Sequence, residues 1–277
     1  RDEQPNRVRS FGFDDKHAAL GYGVCSGERD LLRSWWWTNG DEQWQHPLSA
    51  DVLDVCGAPA GGVLVLTQAG DIERFDSDGE RIRQTALHRP IYSVIERLTI
   101  AGEPAWLVDW QKDDGCGVIW ASGRCLDLPR RVAVPRGGLD GLWSGPVEQA
   151  ISSAAVAPNQ AVLFAGGQLG QIGVFDLESG EQIACFEQPE GKLAWEDEAA
   201  LLVSPSGDRL IAIGWEAEWM AWDLQDLSHV RTHRLSIGTV ARVLPHPAGS
   251  GVYISAKQGG RYVFALYDWQ GRPLEDE

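Results

Sequence analysis

Residues 155–186 read AVAPNQAVLFAGGQLGQIGVFDLESGEQIACF, and this stretch decides the fold. It contains three or four short segments rich in β-branched and aromatic residues, each bounded by Gly, Pro, Asn, Asp or Ser. That composition is typical of short antiparallel β-strands joined by tight turns. Four such strands cannot bury both faces of their sheet alone, so the stretch predicts a fold that repeats this unit.

An aromatic residue followed by Asp marks the third strand of this unit, and it recurs along the chain. The pairs are Phe75-Asp76, Phe175-Asp176, Trp222-Asp223 and Tyr267-Asp268, with Trp120, and Trp36 or Trp37, in the corresponding places. Most intervals are about 45 residues, and a period in the forties with four strands per copy is the pattern of propeller blades. The predicted fold class is therefore all-β, with a single β-propeller.

Six copies of the unit account for nearly the whole chain. We place the blades at residues 5–48, 49–88, 89–130, 147–187, 191–234 and 235–277, with an inserted loop at 131–146. No linker rich in Ser, Gly or Pro divides the chain, so residues 1–277 are predicted to form one domain. The chain begins at Arg1 without Met, and seven blades would result if a removed N-terminus adds strands.

The sequence resembles the WD-repeat and related bacterial β-propeller families. The resemblance rests on Trp222-Asp223, on the Phe-Asp and Tyr-Asp equivalents, and on the hairpin SPSGDRLIAIG at 204–214. The Gly-His dipeptide that opens a typical WD repeat is missing from every copy, so the His–Asp network of that family is not carried over. In the remaining pairs, we expect the aromatic ring to pack between blades and the Asp to accept backbone N–H bonds in a turn.

Composition limits the classes of partner. The formal charge of −16 argues against nucleic acid, because phosphate binding needs a basic surface. No apolar run reaches the length of a membrane span. The five cysteines form no CxxC pair, and their odd number favours a reducing compartment, so we predict a cytoplasmic protein. A periplasmic or secreted protein stays open, because a cleaved signal peptide would leave no trace.

Motifs for catalysis, metals and cofactors are weak. No GxSxG nucleophile motif is present, and the Gly-rich stretch 166–173 lacks the helix or the Lys of a phosphate-binding loop. His229 and His233 fall on a predicted strand, where residues four apart stand about 13 Å apart. Asp76-Ser77-Asp78-Gly79 could suggest calcium, but a type I turn explains it more simply. We predict no enzyme activity, no cofactor and no metal.

One set of residues does indicate binding. In a propeller, the turns between second and third strands share a face with the connections that lead into each first strand. Three predicted loops on this face place Trp beside carboxylates, which suits capture of an Arg- or Lys-bearing peptide. The residues are Trp110, Asp113 and Asp114; Trp195, Glu196, Asp197 and Glu198; and Trp215, Glu216 and Glu218.

The sequence therefore predicts a protein-interaction scaffold, with a protein or basic peptide as its partner, in a bacterial multi-protein assembly. Two alternatives stay open, a propeller enzyme and a propeller that binds a small ligand or glycan. The predicted innermost strands carry few charges, among them Asp54, Glu96 and Arg97, which is little for catalysis.

Overall fold

The computed structural model describes residues 8–13, 20–25, 30–36, 38–48, 50–111, 115–129, 131–132, 149–158, 161–167, 172–186, 200–225, 229–246 and 248–274. In these residues every regular element is a β-strand. None of them forms a helix long and apolar enough to cross a membrane. The chain divides into two compact units, Arg1–Asp127 and Leu128–Glu277.

The first unit contains three four-stranded sheets, in each of which a strand pairs with the next one along the chain. Blade one consists of β1 (Val8–Phe13), β2 (Leu20–Cys25), β3 (Leu31–Trp36) and β4 (Glu42–Pro47). Blade two consists of β5 (Val52–Gly57), β6 (Val63–Thr67), β7 (Asp71–Phe75) and β8 (Arg81–Ala86). Blade three consists of β9 (Ile91–Ile100), β10 (Glu103–Trp110), β11 (Gly115–Trp120) and β12 (Cys125–Pro129).

The second unit contains three further sheets in which each strand pairs with the next one along the chain, one of five strands and two of four. Blade four consists of β13 (Arg131–Val132), β14 (Gln149–Val156), β15 (Val162–Gly167), β16 (Ile172–Asp176) and β17 (Gln182–Phe186). Blade five consists of β18 (Ala200–Val203), β19 (Arg209–Ile213), β20 (Glu218–Asp223) and β21 (His229–Arg234). Blade six consists of β22 (Thr239–Pro245), β23 (Gly251–Gln258), β24 (Arg261–Asp268) and β25 (Pro273–Leu274).

The prediction of six four-stranded blades is confirmed, with one correction. The predicted inserted loop at 131–146 begins with a short strand, because Arg131 and Val132 pair with Ala150 and Gln149. This fifth strand forms because β14, as the first strand of its blade, still offers backbone N–H and C=O groups along its second edge. The rest of that predicted loop lies outside the described residues.

In blades two to five the second and third strands are buried along most of their length, whereas the third strand of blade six, β24, is mostly exposed or half-buried. All five residues of β6 are buried, whereas five of the six residues of the outermost strand β8 are exposed. A central strand therefore reads as a continuous hydrophobic run, and an outer strand reads as a polar one. The short apolar runs in the sequence predict the central strands for this reason.

Apolar clusters join neighbouring blades within each unit. In the first unit, Tyr22 packs with Phe75 between blades one and two, and Leu66 packs with Trp106 between blades two and three. In the second unit, the Phe186 ring lies 5.7 Å from the Trp222 ring between blades four and five. A further cluster joins blades five and six. Each fully buried side chain of this size contributes about 1.5–3 kcal/mol, so these clusters are the main source of stability.

The aromatic–Asp pairs have the roles that the sequence predicts. The aromatic rings at positions 75, 120, 175, 222 and 267 are all buried. In each of the four pairs, one carboxylate oxygen accepts backbone N–H bonds from the turn that follows, at 2.7–3.0 Å. The same dipeptide thus supplies one core side chain and one turn cap to each of these four blades. At Asp76 this turn geometry supports a structural role for the acidic cluster 76–79.

Candidate functional site

Only part of the predicted Trp- and acid-bearing face lies within the described residues. Trp110, Trp215, Glu216 and Glu218 are described, whereas Asp113, Asp114, Trp195, Glu196, Asp197 and Glu198 lie outside the described ranges. The site can therefore be built at the turn between β19 and β20 of blade five and at the end of β10 of blade three. The remaining loops of the face stay a prediction.

Trp110 is a core side chain and not an exposed binding residue. It is 4% exposed and belongs to the apolar cluster between blades two and three. The guanidinium of Arg89 lies 4.0 Å from the centroid of its ring. Gly117 makes room for the indole, because a Cβ there would come within 2.7 Å of it. The Arg89 guanidinium already occupies the position over the Trp110 ring that a cationic side chain of a partner would take, and the ring is buried.

Trp215 is presented by a tight turn. The Gly214 N–H donates to the Glu218 carbonyl at 2.9 Å, and the Ala217 N–H donates to the Gly214 carbonyl at 3.0 Å. This arrangement places Trp215 at the tip of the hairpin, where its side chain is 41% exposed. A tryptophan buries a large apolar surface on contact, so an exposed one at a hairpin tip is a ready anchor for a partner.

The turn that carries Trp215 is fixed by its surroundings. The Trp215 carbonyl accepts the Val240 N–H at 2.9 Å, and the Ala217 carbonyl accepts the Leu235 N–H at 2.8 Å. Ala217 has a φ of +63° and a fully buried methyl group. A left-handed conformation costs a non-glycine residue roughly 1–2 kcal/mol, so the packing around Ala217 holds a strained turn in place. Trp215 is therefore presented on a rigid support.

The two carboxylates of this turn have different environments. Glu216 is exposed, and its carboxylate lies 3.4 Å from a guanidinium nitrogen of Arg234. The Nε–H of Arg234 also donates to the Glu216 carbonyl at 3.1 Å. Glu218 is half-buried and sits directly across the β20–β21 ladder from Arg234. Two carboxylates and one guanidinium leave this turn with a net charge of about −1. The part that Arg234 plays at this turn was not predicted from the sequence.

Trp219 lies one residue beyond this acidic turn but points into the core. Its indole is fully buried and packs against the His233 ring at 6.2 Å between centroids. The Nε2 atom of His233 lies 3.1 Å from the Gly271 carbonyl. The prediction that His229 and His233 belong to an outer strand is correct, since both lie on β21. His233 thus has a packing role between blades five and six.

A second polar constellation, which sequence reasoning did not assemble, lies on the first strands of blades two and three. Asp54 accepts two bonds from Arg97, at 2.8 and 2.5 Å, and one from the indole N–H of Trp106, at 2.8 Å. Arg97 also donates to the Val55 carbonyl at 2.7 Å. Burial by itself lowers the pKa of Arg97, but the hydrogen bond and charge of Asp54 more than offset it, so the pKa is raised above its ordinary value. This arrangement ties two blades together, and its charges are already paired.

The comparisons with known proteins support the fold. No protein-family model matches the chain, and no curated protein matches its sequence. BamB from Moraxella catarrhalis, known from a crystal structure, is similar to this chain with a TM-score of 0.60 and 18% sequence identity. The similarity covers 98% of this chain and 76% of that chain. At this identity the similarity shows the fold alone: the chain has a β-propeller fold, and a narrower WD-repeat membership is not shown.

Proposed function

We propose that this protein is a non-enzymatic interaction scaffold that holds a Trp- and carboxylate-bearing face toward a protein or peptide partner. The observation that carries the proposal is Trp215, an exposed indole on a strained turn that is fixed by backbone hydrogen bonds. A rigid anchor loses little conformational entropy on binding, which favours affinity. The carboxylates of Glu216 and Glu218 add selectivity for cationic side chains.

The partner that suits this turn carries Arg or Lys beside an apolar residue. A guanidinium over the Trp215 ring gains about 0.5–2 kcal/mol, depending on how far water is excluded. Because Arg234 already neutralises part of the acidic charge, the indole contributes more to affinity than the carboxylates do. Trp195 and residues 196–198 extend this face in the proposal, and Trp110 no longer belongs to it.

The enzyme alternative has less support among the described residues. Of the charges predicted on the inner strands, Asp54 accepts hydrogen bonds from both Arg97 and Trp106. A general acid or base needs a titrating group within reach of a substrate, and this pair is engaged in joining two blades. An exposed Trp would also stack on a sugar ring, so a glycan ligand is the second candidate.

The cytoplasmic location stays a prediction.

The direct test is capture of partners from lysate of the source cell with the immobilised protein. We expect wild type to enrich one or a few proteins, and Trp215→Ala to lose at least nine-tenths of that enrichment. The matched control is Tyr253→Ala, because Tyr253 has the same exposed fraction, 41%, on another blade. Circular dichroism of each variant shows whether the fold is intact.

Equal capture by wild type and Trp215→Ala would remove this turn from the interaction. A glycan array separates the two binding candidates: specific glycan binding that depends on Trp215, with no captured protein, would replace the scaffold by a carbohydrate-binding function. Turnover of a substrate by the purified chain would contradict the non-enzymatic part of the proposal.

A further inference from the structure

A pocket of 230 Å³ lies between blades two and three, within the first unit. Its apolar floor is formed by Ala58, Leu64, Ile72 and Ala121, and its polar wall by Arg74, Arg83 and Glu103. It opens at the turns that join first to second and third to fourth strands. The Trp215 turn joins a second strand to a third strand and belongs to the second unit, so it contributes nothing to this lining. The pocket is therefore separate from the face proposed above.

Two arginines face each other in this pocket. Arg74 on β7 and Arg83 on β8 are direct partners across the ladder, which places their Cβ atoms about 4.5–5.5 Å apart. Like charges in this arrangement destabilise a sheet. Among the described residues neither arginine forms an ion pair with a carboxylate. The chain as a whole has an excess of 16 negative charges, yet this pocket holds two guanidinium groups side by side and one carboxylate, that of Glu103.

The hydrogen-bonding groups around the arginines are only partly used. The Nε–H of Arg74 is buried and has no hydrogen-bond partner. Arg83 makes one long bond, 3.3 Å, to the Ser122 carbonyl. The carboxylate of Glu103 instead accepts the Ser122 N–H at 2.6 Å. A buried N–H without an acceptor is unfavourable, and an anionic ligand in the pocket would supply the missing acceptor.

We propose that this pocket binds a carboxylate attached to a short apolar group, with Arg74 and Arg83 holding the carboxylate. A guanidinium presents parallel N–H groups that match the two oxygens of a carboxylate. The apolar floor takes the aliphatic part of the ligand. The pocket has room for roughly eight water molecules, which fits one side chain or a small acid but not a dinucleotide or other large cofactor.

The negative charge of Glu103 favours a monoanion over a phosphate dianion. The ligand chemistry has two possible sources: a free branched-chain carboxylic acid, or the C-terminal carboxylate of a peptide that ends in an apolar residue. Both place one carboxylate against the two arginines and one aliphatic group on the floor. The proposal does not depend on the interaction function of the Trp215 turn.

The test is an NMR titration of the side-chain Nε–H signals of arginine, with isovalerate, isovaleramide and inorganic phosphate as probes. We expect isovalerate to shift the Arg74 Nε–H signal, and the uncharged isovaleramide to bind at least tenfold more weakly. A hexapeptide that ends in leucine is compared with its C-terminal amide. Tighter binding of the free-acid peptide than of isovalerate assigns a peptide terminus, and the reverse order assigns a small acid.

Matched variants separate binding from structure. Arg74→Gln and Arg83→Gln should each weaken isovalerate binding about tenfold or more, since each removes a charge-assisted contact. The control is Arg231→Gln, because Arg231 is exposed on the outer strand of blade five, away from the pocket. Without ligand, Arg83→Gln should unfold at the same or a higher temperature than wild type, because the repulsion is relieved.

Three results would overturn the proposal. They are equal binding of isovalerate and isovaleramide, tighter binding of phosphate than of isovalerate, or an equal loss of affinity in Arg231→Gln. A clear fall in the unfolding temperature of Arg83→Gln, with isovalerate affinity unchanged, would assign the arginine pair to structure instead.

Discussion

Asp54 is the residue at which polar contacts hold blades two and three together. Its carboxylate is mostly buried and receives bonds from Arg97 and Trp106, both on the neighbouring blade. An acceptor with three donors has little freedom to move, so it fixes the relative position of β5, β9 and β10. Asp54 therefore links the first strand of blade two to the first and second strands of blade three, beside the apolar cluster that joins the same two blades.

Replacement of Asp54 by Asn should destabilise the protein by about 2–3 kcal/mol. The change removes the charge that Arg97 pairs with and puts an N–H₂ group where one donor now points. Arg97 keeps 40% of its side chain in water, which limits the loss. Urea unfolding measures the effect, with Asp51→Asn as the exposed control just before the same strand. Equal midpoints for the two variants would contradict this role.

Acid sensitivity also arises at single residues. The Asp208 carboxylate accepts hydroxyl bonds from Ser206 and Ser204, and these bonds lower its pKa. A carboxylate with a lowered pKa in the folded state stabilises the protein above the ordinary pKa of about 3.9, and this contribution is lost as pH falls through the folded-state value.

When the pH falls from 5 to 3, the free energy of unfolding should therefore decrease less in Asp208→Asn than in wild type. Urea midpoints at the two pH values test the change. The control is Asp78→Asn, because the Asp78 carboxylate is exposed and accepts no hydroxyl bond from the residues that the structure describes. An identical fall in wild type and Asp208→Asn would show that the hydroxyl bonds do not contribute to the acid response.

At the scale of elements, the hairpin turns explain why the strands begin and end where they do. Ala101 and Gly102 both have positive φ, 51° and 79°, between the paired residues Ile100 and Glu103. This is a two-residue turn whose twist matches that of the flanking strands, and it favours Asn-Gly. Ala101 adopts a conformation that costs a residue with a Cβ roughly 1–2 kcal/mol, and Asn tolerates it better.

Ala101→Asn should stabilise the protein by about 0.5–1 kcal/mol, because Ala101 is exposed and Asn adopts a positive φ at lower cost than Ala does. Gly102→Ala, in the same turn, should destabilise it. Urea unfolding of the pair measures both changes. Stabilisation by Gly102→Ala, or destabilisation by Ala101→Asn, would show that the turn is not of this type.

The strands could be predicted from the sequence, because each short apolar run is bounded by a turn residue whose conformation is locally determined. The burial of Trp110 could not, since it depends on Arg89 and Gly117, which meet the indole only after the strands have paired. The Asp54–Arg97 pair joins residues 43 positions apart and needs two packed blades. The short strand at Arg131–Val132 was missed because two residues carry no periodicity.

At the scale of the whole molecule, the repeated blades contain two kinds of residue: those that recur from blade to blade and those that occur in one blade only. The aromatic–Asp pairs recur in four blades as core side chains and turn caps, whereas Trp215 belongs to blade five alone and the Arg74–Arg83 pair to blade two alone. In a repeat protein, the features that differ between copies are the ones free to serve binding. The net charge of −16 adds a long-range attraction for a cationic partner, which salt weakens.

The central claim is that the Trp215 turn is the anchor for a protein partner, and the most direct measurement is the affinity of the captured partner for purified variants. Trp215→Ala should weaken binding about 30-fold or more, the effect expected for a central aromatic anchor, and Trp195→Ala should also weaken it. Tyr253→Ala should leave the affinity unchanged. Unchanged affinity in both Trp variants, with their fold intact, would contradict the account.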